Sequence, residues 1–249
     1  MLNKCKEEDF YQIKSVSLGR LNVADLHAFF WAVFVFCAAM TGFSLFGISA
    51  GELEITTFLA LMIPTSLIFL LLQFLFTIFF SIKKVAYYFQ KFQSLLLSLF
   101  GLKLSIDMYQ AFYVYSEAAV APDYIKKIGL FFLIGGIVFL MLSSYRAIQR
   151  VKQGELRKEG KGLYNFKNSK GMVSVPIIFS FTILSGAAGK YFSEIWTDMT
   201  VLVILLIAVV LQYSIALALP EFFLLTYCKF RFESFKVKRP DSRMRGSKR

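Results

Sequence analysis

The chain has 249 residues, of which 57% are hydrophobic and 17% aromatic, and its formal net charge is +12. Soluble domains have about 45–50% apolar residues, so this composition excludes an ordinary soluble protein and predicts one that crosses a membrane several times. In a soluble protein the positive charge would indicate nucleic-acid binding. Here the enrichment of basic residues on the cytoplasmic side of membranes explains the charge, so no nucleic-acid partner is expected.

Six segments are long and apolar enough to cross a bilayer, which requires roughly 20 residues of helix per span. Their length is typical of helices rather than of the short alternating strands of a barrel, so the predicted fold is all-α. A cytoplasmic segment, residues 1–25, precedes a transmembrane domain over 26–228, and a basic cytoplasmic tail follows over 229–249. The predicted spans are about 26–47, 57–82, 92–113, 128–144, 172–192 and 199–219.

The distribution of Lys and Arg predicts the topology. Of these 28 residues, 24 lie in four blocks: the N-terminal segment, the gap after span 2, the loop 145–171 and the tail. Alternate gaps therefore face the cytoplasm, both termini lie inside, and anionic lipid headgroups are expected partners in a bacterial-type cell membrane. Span 3 is marginal because it contains charged residues, yet without it a basic block would have to be translocated. Lys126 and Lys127 are exceptions, since they fall in an outer gap.

Span 3 carries the residues that are the best candidates for chemistry. Lys103 and Asp107 are four apart and therefore share a helix face, with Gln110 one turn further along. Near the midplane an isolated charge costs about 2.5–3.5 kcal/mol, and such residues usually face the bundle interior and pair. One hypothesis is a proton or ion relay or a polar substrate site, with Gln73 and Gln212 as wall groups. The alternative is a self-neutralising pair that only helps the helix to insert and pack.

Three prolines are candidate helix breaks or hinges. Pro64 and Pro176 lie near the N-terminal ends of spans 2 and 5, the middle helices of two three-span halves. This placement is typical of inverted-repeat transporters, although proline is also tolerated in the first turns of any helix. Pro220 is expected to end span 6, with the apolar stretch 222–228 lying along the inner interface. Small residues such as Ala38 with Gly42 favour close helix packing, with homo-oligomer contact as the alternative.

Most enzyme mechanisms lack the residues they need. His27 is the only histidine, which excludes HExxH and multi-histidine metal centres, and no GxSxG sequence supplies a nucleophile elbow. The loop around Lys161 lacks the GxxxxGK[ST] pattern of a phosphate-binding loop. No catalytic residue, metal site or cofactor is therefore predicted, and an intramembrane hydrolase or lipid-modifying enzyme ranks last.

The size, six predicted spans and cytoplasmic termini resemble a small permease subunit of an ABC-2-type exporter. That resemblance implies a cytoplasmic ATPase partner, although the predicted loop between spans 5 and 6 is shorter than the re-entrant element of such permeases. The leading hypothesis is thus a small transporter or permease subunit of the cytoplasmic membrane. The alternative is a non-transporting accessory membrane protein, such as an immunity, assembly or signalling partner, whose basic loop or tail binds another protein.

Overall fold

The computed structural model describes residues 2, 4–51, 56–163 and 197–237, and within these ranges the chain is helical and has no strand. Short 3-10 helices cover Glu7–Phe10 and Glu233–Phe235. The α-helices are α1 Tyr11–Leu18, α2 Leu26–Gly51, α3 Thr57–Ser81, α4 Lys83–Tyr88, α5 Gln90–Ala118, α6 Asp123–Lys152 and α7 Thr197–Arg231.

Five of these helices, α2, α3, α5, α6 and α7, are long and apolar enough to cross a membrane. They coincide with five of the six predicted spans, whereas predicted span 5 (172–192) and Pro176 lie outside the described residues. α5 is the central helix, because 61% of its most apolar stretch is buried, against 11–28% in the other four. Its neighbours are therefore mostly protein rather than lipid, which explains how it accommodates the charges that make it marginal by composition.

One predicted helix end is wrong. Pro220 does not end the last helix, since α7 continues through it to Arg231 and includes the stretch 222–228. Pro220 has no N–H to donate to the Ala216 carbonyl, but packing of the residues on both sides of this proline keeps the helix continuous. α6 extends beyond the predicted span 128–144 at both ends, with Asp123 in its first turn and Lys152 in its last, where the helix dipole favours those charges.

The order of contacts fixes the helix directions. α5 is parallel to α2, since Phe30 packs on Phe100 and Gly47 approaches Val114 further along both helices. α5 is antiparallel to α7. Ser98 of α5 contacts Thr226, whereas Tyr109, further along α5, donates a hydrogen bond to Gln212, which lies about 21 Å nearer the start of α7.

α6 and α7 run in the same direction. The Leu133 carbonyl accepts a hydrogen bond from the Gln212 side chain at 3.0 Å, and Leu140 packs in one cluster with Leu219. The second contact lies further along both helices than the first. The end of α6 and the beginning of α7 therefore lie at opposite ends of the bundle. We call the end that holds residues 26, 81, 90, 152 and 231 the basal end and the opposite one the distal end.

A packed cap covers the basal end, defined here as residues 2, 4–25, 153–163 and 232–237. The Gln12 backbone N–H donates to the Leu156 carbonyl at 3.0 Å, and its side chain donates to the Gly160 carbonyl at 2.9 Å. Phe10 and Phe235 are buried in the same apolar cluster as the basal ends of the long helices. The basal cap and the bundle thus share one core.

Ion pairs join the basal cap to its surroundings. The Arg157 guanidinium lies 2.8 Å from the Asp9 carboxylate, and Arg20 pairs with the buried Glu221 of α7. Burial alone would raise the pKa of Asp9, but hydrogen bonds from the Lys6 backbone N–H and from Arg157 hold it below its ordinary value of 3.8. Asp9 is therefore a carboxylate at neutral pH and stabilises the contact between the two parts of the cap.

Candidate functional site

The middle of α5 holds a buried ion pair. Lys103 and Asp107 lie on one face near the centre of this 29-residue helix, and the Lys103 ammonium donates to the Asp107 carboxylate. The two side chains are only 12% and 6% exposed. The opposite charges therefore neutralise each other away from water, as buried charges require.

Side chains of α2 and α3 extend this polar cluster. Gln73 of α3 is fully buried, and neither its amide oxygen nor its nitrogen has a hydrogen-bond partner within the described residues. The thiol of Cys37 of α2 lies near Asp107 and Gln73, without a hydrogen bond of normal geometry to the Gln73 amide. Buried amides are almost always satisfied, so the unused donors and acceptor of Gln73 are unusual for a buried side chain.

A groove of about 610 Å³ lies between α3 and α5, with Lys103, Asp107 and Gln73 among its lining residues. Its volume falls within the range of about 300–1,000 Å³ typical of small-molecule sites. The other polar groups in it are Thr65 and Ser66 of α3. The remaining lining is apolar and consists of Leu61, Met62, Phe69, Leu72, Phe76, Leu96, Leu99, Phe100, Leu102 and Ile106.

The two ends of the groove are closed by packing between the helices that line it. At its basal end Phe76 packs on Phe92, with ring centroids 5.4 Å apart. Towards the distal end Leu59 and Ile63 of α3 belong to one buried cluster with Tyr113 of α5. The groove is therefore open along its side rather than at its ends.

Gln212, predicted as a wall group, is not part of the groove. Its side-chain oxygen accepts from the Tyr109 hydroxyl at 2.8 Å, and its nitrogen donates to the Leu133 carbonyl at 3.0 Å. A Cβ built on Gly136 would lie 2.1 Å from the Gln212 amide, so this glycine makes room for the bond network. Gln212 therefore joins α5, α6 and α7 and has a structural role.

Gln110 is buried beside the ion pair on α5 but does not line the groove. Both polar atoms of its amide lack a hydrogen-bond partner in the part of the chain described, as does the Thr41 hydroxyl of α2. The structure therefore brings together three of the five predicted polar residues in the groove, places Gln110 next to them and moves Gln212 to another interface.

Pro64 lies inside α3 and precedes the groove residues Thr65 and Ser66. Because proline has no N–H, the carbonyl of Ala60 loses its usual helical donor. The Thr65 hydroxyl donates to the Leu61 carbonyl at 2.7 Å in the same turn. Pro64 thus makes the backbone beside the groove locally weaker without interrupting the helix.

Sequence reasoning missed Cys37 and Tyr109. Cys37 gave no signal because a lone cysteine in an apolar span looks like any small core residue. Tyr109 is two residues after Asp107 and so lies on a different face of α5, where only knowledge of α7 as a neighbour identifies its bond to Gln212.

Within the described ranges, no group of three or more His, Cys, Asp or Glu side chains is placed to hold a metal ion. Comparison of the chain with protein-family models, with curated proteins and with solved structures found no match.

Proposed function

We propose that the chain is a small transporter or permease subunit of a cell membrane and that the α3–α5 groove is its substrate site. The observation that carries the proposal is Gln73, which is fully buried beside the Lys103–Asp107 pair and has no hydrogen-bond partner among the described residues. A pair that served only to neutralise a polar helix would not need an unsatisfied amide next to it or a groove over it. Ionisable residues inside a membrane usually mark substrate or ion pathways.

We also propose six spans, with both termini in the cytoplasm. The parallel directions of α6 and α7 support this count, since two spans that run the same way require one further crossing between them. The charge distribution supports the orientation: all described basic residues belong to the basal end except Lys103, Lys126 and Lys127. Lys126 and Lys127 at the distal end are exceptions to this distribution, and Lys126 pairs there with Glu117 at 2.7 Å.

Thiol labelling tests this topology. In a variant whose three native cysteines are replaced by serine or alanine, one new cysteine is introduced at Val120, which is 86% exposed at the distal end, or at the exposed Lys161 of the basal cap. We expect a membrane-impermeant maleimide to label intact cells at position 120 and to label position 161 only after lysis. Labelling of position 161 in intact cells would overturn the orientation.

Transport itself is tested by comparing cells that produce the wild type with cells that produce Lys103→Leu/Asp107→Leu. Mass spectrometry of cells and medium should show at least one compound whose distribution depends on the wild type and not on this variant. The matched control is Glu117→Leu/Lys126→Leu, which removes an ion pair outside the groove and should behave as the wild type does. Equal distributions for wild type and the Lys103→Leu/Asp107→Leu variant, at equal protein levels, would refute the proposal.

An accessory role is the second candidate, and the basal cap favours it. The cap is a folded surface that presents exposed basic side chains at Lys158 and Lys161, beside the exposed Lys152 at the end of α6. Charge reversal at these three positions should release a co-purifying acidic protein if the cap is a docking site. A cytoplasmic ATPase recovered with the wild type and lost from this variant would unite the two proposals.

A further inference from the structure

The walls of the α3–α5 groove are apolar and face outward. Among them, Leu61 is 75% exposed, Phe69 55% and Leu99 49%. In a bilayer such side chains contact acyl chains, so the open side of the groove leads into the membrane. A molecule that enters there must carry an apolar part that matches these walls.

The inner surface of the groove selects the polar part of that molecule. Lys103 and Asp107 neutralise each other, so the groove offers no net charge to attract a bare ion. The Gln73 amide has donors and an acceptor without partners among the described residues, and the neighbouring Cys37 thiol is only a weak hydrogen-bonding group. A hydroxyl or amide head group, which both donates and accepts, would satisfy Gln73 without adding charge.

We infer that the ligand of the groove is an uncharged amphiphile with a hydroxyl or amide head group and that it enters sideways from the bilayer. The inference rests on the proposed function in one respect, namely that the groove is a ligand site. The apolar part lies along Leu61, Phe69 and Leu99. The head group bonds to Gln73 beside the Lys103–Asp107 pair, after the buried Gln73 amide has turned toward the groove. The ligand thereby removes the cost of a buried unsatisfied amide.

Photolabelling of the full-length protein in nanodiscs tests this inference. The probe is a monoacylglycerol with a diazirine in its acyl chain, and the comparison probe is the corresponding free fatty acid, which is anionic. We expect the first probe to label peptides containing residues 61–76 and 96–107, unlabelled monoolein to compete with it, and the fatty acid to label these peptides less.

Two variants locate the binding. Gln73→Leu should reduce labelling by the monoacylglycerol about tenfold, as expected for the loss of one or two hydrogen bonds. Leu72→Trp should block labelling because Leu72 lines the groove, whereas Leu71→Trp should not, because its neighbour Leu71 is 60% exposed and does not line it. Both tryptophan variants place the same side chain on the same helix, so folding defects would affect them alike.

Equal labelling of all lipid-facing helices, unchanged in Leu72→Trp and in Gln73→Leu, would overturn the inference. A disulfide between a cysteine at Leu99 and one introduced within residues 164–196, or in a second copy of the chain, would also overturn it, because protein would then fill the groove. If transport is lost in Lys103→Leu/Asp107→Leu but the probe does not label the groove of the wild type, the inference of an uncharged amphiphile fails and the transport proposal stands. Groove labelling with transport intact in that variant would overturn the transport proposal alone.

Discussion

Removing one member of the Lys103–Asp107 pair should destabilise the protein far more than removing both. Asp107→Leu leaves the Lys103 ammonium, on a side chain only 12% exposed, without its counterion. Breaking a buried pair costs about 3–5 kcal/mol, and an isolated charge at a membrane midplane costs about 2.5–3.5 kcal/mol. We therefore expect about 3 kcal/mol for either single leucine variant.

The double variant should lie within about 1 kcal/mol of the wild type, because two leucines of similar shape replace a neutral pair. The four proteins form a double-mutant cycle, measured as unfolding by sodium dodecyl sulfate in mixed micelles, and its coupling energy should exceed about 2 kcal/mol. The matched cycle at Glu117 and Lys126, whose side chains are 22% and 23% exposed, should give less than about 1 kcal/mol.

Two results would refute this reasoning. If each single variant costs under about 1 kcal/mol, water or another group must already stabilise the remaining charge. If the double variant loses as much as the two single variants together, the two side chains do not interact energetically. In either case the pair would not be the dry, self-neutralising element on which the argument for an uncharged ligand depends.

Three further predictions concern the basal cap and helix packing. Gly136→Ala should lower the free energy of unfolding by about 1–3 kcal/mol, because the new Cβ would meet the Gln212 amide at 2.1 Å. The control is Gly42→Ala, whose Cβ has nothing within 4 Å; it should leave the free energy of unfolding, measured in the same way, unchanged or raise it. The pKa of Asp9 is depressed in the folded state, so its contribution to the free energy of unfolding is present above pH 3.8 and is lost as the pH falls through the folded pKa. The difference in thermal midpoint between wild type and Asp9→Asn should therefore vanish at low pH. Lys229→Met should raise the thermal midpoint, because the Lys229 side chain is fully buried and its ammonium has no hydrogen-bond partner among the described residues. A lower midpoint for this variant would show that the ammonium has a partner.

Much of the fold followed from local sequence patterns. Span length and hydropathy predicted five helices that the structure describes, and the alternation of basic blocks predicted that the marginal helix α5 belongs among them. The four-residue spacing of Lys103 and Asp107 predicted their pairing, because helix geometry alone determines which side chains meet within one helix.

Contacts between helices could not be predicted in the same way. The pairing of Gln212 with Tyr109 joins residues 103 positions apart, and nothing in either helix identifies the partner. Arg20 and Glu221 are separated by 201 positions and assemble only because the basal cap folds back on α7. Pro220 was expected to end a helix because its own chemistry disfavours continuation, whereas packing of Leu219 and Leu224 in the core keeps α7 intact.

The buried polar groups on and around α5 are of two kinds, and the difference between them points to the groove as the ligand site. On the side facing α6 and α7, Tyr109 and Gln212 satisfy each other and the Leu133 carbonyl, so that network is complete and holds helices together. On the side facing α2 and α3 the charges are paired. The amides of Gln73, which lines the groove, and of Gln110, which does not, have no partner among the described residues. A structural network gains nothing from an open amide that costs about 1–3 kcal/mol, whereas a binding site regains that cost when its ligand arrives. The incomplete side is also the side with the groove, which is why the groove, rather than the better-connected interface of α5 with α6 and α7, is the place to look for a ligand.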